Sequence, residues 1–274
     1  MIIGTNTAMF DGIELPKAFA TLAAARFTSV ELAYNEGYVG NLSADLFSTQ
    51  HANEVKQWLQ EYSLTSHALG CTMNLAKPDA VADFTQRITF AHELGATYLN
   101  ACIGKRDDHA LICQRLKELA PIAADYGCII CVENGGDPNF DIVSTATDAA
   151  RLIEEINHDA VAINIDPGNM LSLIDEPPME QAIAMLPYAK HIHIKDVVQD
   201  TDRFWFPAIG KGQLDYSPLL ERAIALDIPC NLEIPLRMHR QPDATPIRRE
   251  TPVALEKSKS VLMESRDYLS RIPG

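Results

Sequence analysis

Nowhere in the 274 residues does an apolar run approach the roughly eighteen needed to cross a bilayer. The opening stretch, MIIGTNTAMFDGIELP, lacks the basic segment, apolar core and small-residue cleavage site of a secretion signal. A cytoplasmic protein with no membrane partner is expected. Positive charge is also scarce: 23 Lys and Arg stand against 37 Asp and Glu, a net charge of −14 that repels phosphate backbones and makes nucleic acid an unsuitable partner. The six cysteines have no zinc-ribbon spacing. Cys128 and Cys131 form C-I-I-C, but inside a strand their side chains point to opposite faces, so they are read as buried thiols. No G-x-G-x-x-G follows the first apolar run, which removes the best support for a dinucleotide fold.

What is present is the balance of a soluble enzyme, 47% hydrophobic and 22% charged residues, with no composition break along the chain. Short β-branched runs alternate with longer segments of helical periodicity, the signature of parallel βαβ units. Strands are predicted near Ile2–Thr5, Ser29–Tyr34, Leu64–Leu69, Tyr98–Cys102, Ile129–Glu133, Ala162–Asp166, His191–Lys195 and Cys230–Ile234. Apolar residues recur at three- and four-residue spacing over Asn53–Tyr62, Val81–Leu94, Leu111–Tyr126, Ala146–Ile156 and Ser217–Ala225, which predicts helices there. Eight such pairs predict one α/β domain over residues 1–274, a closed (β/α)8 barrel, with Pro235 to Pro252 as an extended active-site loop and a final helix near Val253–Leu269.

In such a barrel the C-terminal ends of the strands converge on one mouth. Three apolar runs end there in carboxylates: Glu133, Asp166 and Glu233. Between the second and third lies His191-Ile-His-Ile-Lys-Asp196, whose alternation puts His191, His193 and Lys195 on one face. Carboxylates crowded at one mouth repel one another unless a cation neutralises them, so a bound metal is expected. Three oxygens and an imidazole nitrogen suit Mn²⁺, then Mg²⁺ and Co²⁺, with Zn²⁺ fitting less well.

At these residues the chain resembles the xylose isomerase-like barrels, in particular the sugar phosphate isomerase/epimerase family that includes ketose 3-epimerases such as D-tagatose 3-epimerase and hydroxypyruvate isomerase. The resemblance spans nearly the whole chain. It is carried by Ser29-Val-Glu-Leu32, Val132-Glu-Asn134, Asp166-Pro-Gly-Asn169, the histidine motif, Gly210-Lys-Gly-Gln-Leu-Asp215 and Leu232-Glu-Ile-Pro235. It implies a metal held by Glu133, Asp166, His193 and Glu233, with Glu133 and Glu233 as the acid/base pair that isomerises or epimerises a sugar, sugar phosphate or keto-acid through a metal-stabilised enediolate. A homodimer or homotetramer is implied as well. Two departures stand out. The 3-epimerases place a histidine three residues after the strand-six aspartate, where this chain has Asn169, a hydrogen-bonding substitute. They also carry an arginine soon after the histidine of strand seven, a role here open to Lys195 or Arg203.

Other residues keep two readings each. His67 and Glu31 either contact a substrate oxygen or serve as structural hydrogen-bonding groups. Lys105, Arg106, Arg237 and Arg240 either recognise a phosphate or carboxylate or are solvated loop charges. Gly210 and Gly212 permit a tight loop near the mouth. Phe204, Trp205 and Phe206 line the pocket, cover it or meet another subunit. A metal-dependent lyase of the 3-dehydroshikimate dehydratase type would use the same quartet, and a non-catalytic sugar-binding barrel would bind no catalytic metal. A hydrolase with several metals would need more histidines at the mouth than His67, His191 and His193 supply.

Overall fold

The computed structural model describes residues 2–40 and 42–272; residues 1, 41, 273 and 274 of the expected unit lie outside them. Barrel strands and helices alternate as β1 (Ile3–Asn6), α1 (Leu15–Ala24), β2 (Ser29–Ala33), α2 (Thr49–Glu61), β3 (Thr65–Gly70), α3 (Ala80–Leu94), β4 (Tyr98–Ala101), α4 (His109–Asp125), β5 (Ile129–Glu133), α5 (Ala146–Ile156) and β6 (Val161–Ile165). Two short helices, α6 (Pro167–Leu173) and α7 (Pro178–Met185), lead to β7 (Ala189–Ile194). Then come two small strands, β8 (Val198–Gln199) and β9 (Phe204–Trp205), followed by α8 (Ser217–Ala225) and β10 (Cys230–Leu232). Strands β11 (Met238–Arg240) and β12 (Pro246–Arg248) precede α9 (Leu255–Leu269). All eight barrel strands pair in parallel, in the order β1-β10-β7-β6-β5-β4-β3-β2, and β2 closes the ring on β1. This is the predicted (β/α)8 barrel. Among the described residues no helix is long and apolar enough to cross a membrane.

Strand alternation divides the barrel wall into two chemistries. Leu99, Val132, Ile163, Ile165, Ile192 and Ile194 point outward and are fully buried in the main apolar core. Helix α5 turns Ala149, Leu152 and Ile156 towards that core on one face, and a capping box between Thr145 and Asp148 starts it. The inward side chains are polar. Asn6, Glu31, Asn100, Asn164, His191, His193 and Asn231, from six strands, hydrogen-bond to one another across the interior, where most such barrels stack branched apolar residues. Gly4 makes room for this layer, since a Cβ there would come within 2.2 Å of the Asn231 side chain.

The stretch from Pro235 to Pro252 is not simply a loop. Its strands β11 and β12 join β9 and β8 in a four-stranded antiparallel sheet ordered β12-β11-β9-β8, with His239 opposite Trp205 and Arg240 opposite Phe204. Two- and three-residue strands carry too little alternation to be read from sequence, and the pairing that joins the two hairpins, β9 with β11, links residues remote in the chain. Phe204 is buried in this sheet, and the Trp205 indole donates to Asp200.

Between β9 and α8 the chain wraps around one carboxylate. Asp196 accepts backbone N–H groups from Val197, Gly210, Gly212 and Leu214 at 2.7 to 3.2 Å, which accounts for the Gly210-Lys-Gly212 motif as a backbone device. Gly210 adopts φ +83, and a Cβ on it would lie 2.2 Å from the Tyr268 ring of α9. Gly127 is also left-handed, at φ +67, but opens onto free space. Gly127→Ala is therefore expected to cost about 1 kcal/mol and Gly210→Ala about 2–4 kcal/mol, the difference being the clash with Tyr268. Urea unfolding of the two variants checks this, and equal losses would mean that the ring yields freely.

Candidate active site

Four side chains meet where β5, β6, β7 and β10 end. One ligand-capable atom from each of Glu133, Asp166, His193 and Glu233 lies within 4.8 Å of all the others, and the residues are all buried. Asp166 is held from both sides. Its carboxylate caps α6 by accepting the Asn169 N–H at 3.0 Å, while Asn134 pairs with its backbone N–H and C=O, each at 2.8 Å. Glu133 accepts from the Asn169 amide at 2.8 Å and the Asn164 amide at 3.2 Å. His193 Nδ1 faces Glu133 at 3.3 Å and Glu233 at 3.6 Å.

Beneath the quartet, the other nitrogen of His193 lies 3.0 Å from both oxygens of Glu31, a fully buried carboxylate that also accepts from Asn6 and Asn231. A carboxylate behind a histidine fixes the ring's orientation and raises its basicity. Burial opposes the charge on Glu31, but His193 outweighs it and holds the Glu31 carboxyl at about 2. Burial likewise opposes the charge on His193, and Glu31, Glu133 and Glu233 together push its pKa well above the ordinary histidine range. His191, one layer lower, is pressed down to about 3 by burial and the neighbouring His193, so it stays neutral. Glu133 moves the other way, up to about 7, because burial and the facing Glu233 outweigh the help of His193 and Lys195.

Lys195 supplies the second positive charge. Its Nζ lies 2.6 Å from Asp166, 2.5 Å from Glu233 and 3.0 Å from the Asn169 carbonyl oxygen. The buried Tyr216 hydroxyl clamps its backbone, accepting from the Lys195 N–H and donating to its C=O. Gly168 lets the two segments approach, because a Cβ there would lie 2.4 Å from the Lys195 carbonyl oxygen. Each residue of the Asp166-Pro-Gly-Asn169 motif thus has a physical task, Pro167 being the first residue of α6, where its missing N–H costs nothing. A cavity of about 40 Å³ opens above, lined by Glu133, Asn169, Lys195 and Glu233, with Asn35, Tyr38, Thr72, Cys102, Phe206, Met238 and Arg240 around them.

A family model covers most of the chain. Residues 19–254 match the family model described as xylose isomerase-like TIM barrel. The chain belongs to that family. No curated protein is found to match it. Among solved structures, D-psicose 3-epimerase from Clostridium cellulolyticum H10 with D-tagatose superimposes with a TM-score of 0.73 at 17% identity, covering 98% of this chain and 97% of that one. The probable 3-DHS dehydratase AsbF of Bacillus anthracis gives 0.73 at 13% identity, with all of both chains covered. A xylose isomerase-like barrel protein from Mycobacterium smegmatis in complex with magnesium gives 0.70 at 19%, covering 99% and 96%. At such identities these likenesses establish the fold alone.

Within this xylose isomerase-like barrel, the structure brings Asn169 and Lys195 to the mouth beside the quartet, but not the other residues proposed to touch substrate. His67 is half-buried three residues short of the end of β3 and hydrogen-bonded to Thr65, because the strand runs on to Gly70. Glu31 is turned inward under His193. Arg203 is largely exposed beside Asp200, outside the cavity. Arg237 is spent on the fold: it binds the Asp11 carboxylate and the backbone carbonyls of Asp11, Arg249 and Glu250. Of the other basic candidates, Arg106 pairs with Asp148 away from the mouth, whereas Arg240 reaches the cavity. Sequence reasoning also passed over Asn100, Asn164 and Asn231, although the parity that selected the strand-end carboxylates selects Asn164 and Asn231 as well.

The depressed pKa of Glu31 carries a stability consequence. Its folded value of about 2 lies below the ordinary 4.5, so its contribution is present above about pH 4.5 and lost as the pH falls towards 2. Glu31→Gln removes the carboxylate behind His193, leaving Glu133 and Glu233 to face its charge, and is expected to cost about 3 kcal/mol at neutral pH. Urea unfolding at pH 7 and at about pH 3 should show the gap between wild type and variant narrowing in acid; a constant gap would dismiss the ion pair as its source.

Proposed function

We propose that the protein is a divalent-metal-dependent isomerase or epimerase of small polyhydroxylated carbonyl compounds. The observation that carries this reading is the placement of Glu133 and Glu233. They stand on strands separated by β6 and β7, face the same cavity, and share one donor cluster with Asp166 and His193. The donor set fits a hard divalent ion, because among the described residues three buried carboxylates face only His193 and Lys195 as positive charges at contact distance, and Glu133 is left electrostatically unfavourable. Glu133, Asp166, His193 and Glu233 would hold the ion, as Mn²⁺ or Mg²⁺. When bound, it would polarise the substrate carbonyl and make the adjacent C–H proton easier to remove.

The chain's own residues do the rest. One of the two glutamates takes the proton from carbon, and the other returns one, to the opposite face of the same carbon for epimerisation or to its neighbour for isomerisation. Lys195, whose three N–H groups meet Asp166, Glu233 and Asn169, adds positive charge beside a substrate oxygen developing negative charge, and the Asn169 amide keeps Glu133 and Lys195 in register. The solved relatives with D-tagatose and with magnesium are in keeping with a sugar substrate and a divalent ion, and AsbF keeps a dehydratase outcome in view.

The direct test is solvent-deuterium incorporation, read by mass spectrometry, into ketoses, keto-acids and their phosphates after incubation with Mn²⁺-loaded protein. Incorporation at one carbon is expected, falling by about 10²- to 10⁴-fold in Glu133→Gln and in Glu233→Gln. Loss of water with a new conjugated absorbance would reassign the reaction to a lyase, and full turnover in either variant at unchanged metal content would remove the acid/base pair.

Protons and metal should also compete for Glu133. With the Glu133 carboxyl near 7 and His193 holding its proton well above the ordinary histidine range, metal affinity is expected to fall throughout pH 8 to 6, by about tenfold per unit from His193 and by up to about tenfold more per unit below 7 from Glu133. Calorimetric titration with Mn²⁺ measures this, and a slope that does not steepen below about pH 7 would contradict the placement of Glu133 among the ligands.

A further inference from the structure

Arg240 is the odd member of the buried cations. Arg87 pairs with Glu36, Arg237 with Asp11, and Lys195 with Asp166 and Glu233. Arg240 is only 6% exposed, yet among the described residues it has no carboxylate within 4.0 Å. Its guanidinium is instead positioned by neutral groups, donating to the Ser172 hydroxyl at 2.8 Å and the Asn169 carbonyl oxygen at 2.7 Å, with its carbon 5.3 Å from the Phe206 ring centre. Two of its five N–H groups are used in these bonds.

The surroundings are shaped for this side chain. A Cβ on Gly136 would lie 2.5 Å from both terminal guanidinium nitrogens, so the bare backbone there is what lets the group enter. The guanidinium lines the cavity that also holds Glu133, Glu233 and Lys195, and only the width of the Asn169 amide separates it from Glu133 and Lys195. Taking a guanidinium out of water without a counter-charge is costly. A fixed, flat fork with unused donors at the edge of a small cavity is the form that recognises a carboxylate or phosphate.

We infer that Arg240 is the anion-recognition residue of this site and that the substrate is an anionic polyhydroxylated carbonyl compound, a sugar acid or sugar phosphate, whose charged group is seated on the Arg240 guanidinium. This rests on the proton-transfer reading only for the carbonyl. The charge preference is a property of the cavity itself. It also explains why Asn169 stands where it does: its carbonyl oxygen accepts from Lys195 and Arg240 while its nitrogen donates to Glu133, a bridge that links the reacting end of the site to its charged end.

Calorimetric titration of the Mn²⁺-loaded protein with xylitol, xylonate and xylitol 5-phosphate tests the inference without turnover, because none of the three carries a carbonyl. At least one anion is expected to bind about 10- to 100-fold more tightly than xylitol, and which one tells carboxylate from phosphate. Arg240→Gln should abolish that preference, the anion losing far more affinity than xylitol, and Arg240→Lys, which keeps charge but not the fork, should retain only part of it. No anion preference in the wild type would overturn the inference. So would a preference that survives in Arg240→Gln, or in Arg240→Lys at full strength should the glutamine variant not fold, since the metal would then be the anion's partner. Failure of deuterium incorporation with the preference intact would sink the proton-transfer reading and leave Arg240 in its role.

Discussion

Everything at the mouth depends on keeping four carboxylates out of water together. Glu31, Glu133, Asp166 and Glu233 are all buried within two layers of one barrel end. Unpaired, each would be neutralised or would drive local opening. The chain answers with His193 placed between Glu31 and the upper glutamates, and with Lys195 between Asp166 and Glu233. Asparagine amides fill the remaining acceptor sites. The same arrangement that keeps the fold intact leaves the upper carboxylates short of positive charge, which is the condition for holding a divalent ion.

The sequence made the barrel legible because its evidence is repeated. Eight apolar runs alternate with helical periods, and a boundary error of one or two residues in any of them leaves the architecture unchanged. The strands Ile129–Glu133 and the helices Ala146–Ile156 and Ser217–Ala225 fall where the pattern puts them. Lys195 and the quartet could be singled out because each interrupts an apolar run or ends one, whereas Asn169 was reached through the family resemblance. The resemblance to xylose isomerase-like barrels pointed the same way.

What was not legible depended on contacts remote in the chain. Arg237 and Arg240 are three residues apart on the same segment and look alike in sequence. In the fold one is tied to Asp11, more than two hundred residues earlier, and the other stands over Asn169 and Ser172. No local pattern separates them: Arg240 is carried over the mouth by the pairing of β11 with β9, whereas Arg237, just before β11, is buried against Asp11. His67 was misplaced for a simpler reason. Ala68, Leu69 and Gly70 continue its strand with no polar residue to mark the end.

The amide-rich interior below the quartet bears on how protons travel. Asparagine neither gains nor loses a proton near neutral pH, and His191 is held neutral among Asn100, Asn164 and Asn231. Below the His193–Glu31 pair the barrel floor therefore offers asparagines and a neutral histidine rather than groups that take up charge. In the proposed reaction a proton that the glutamates give up or regain would come and go by the upper opening.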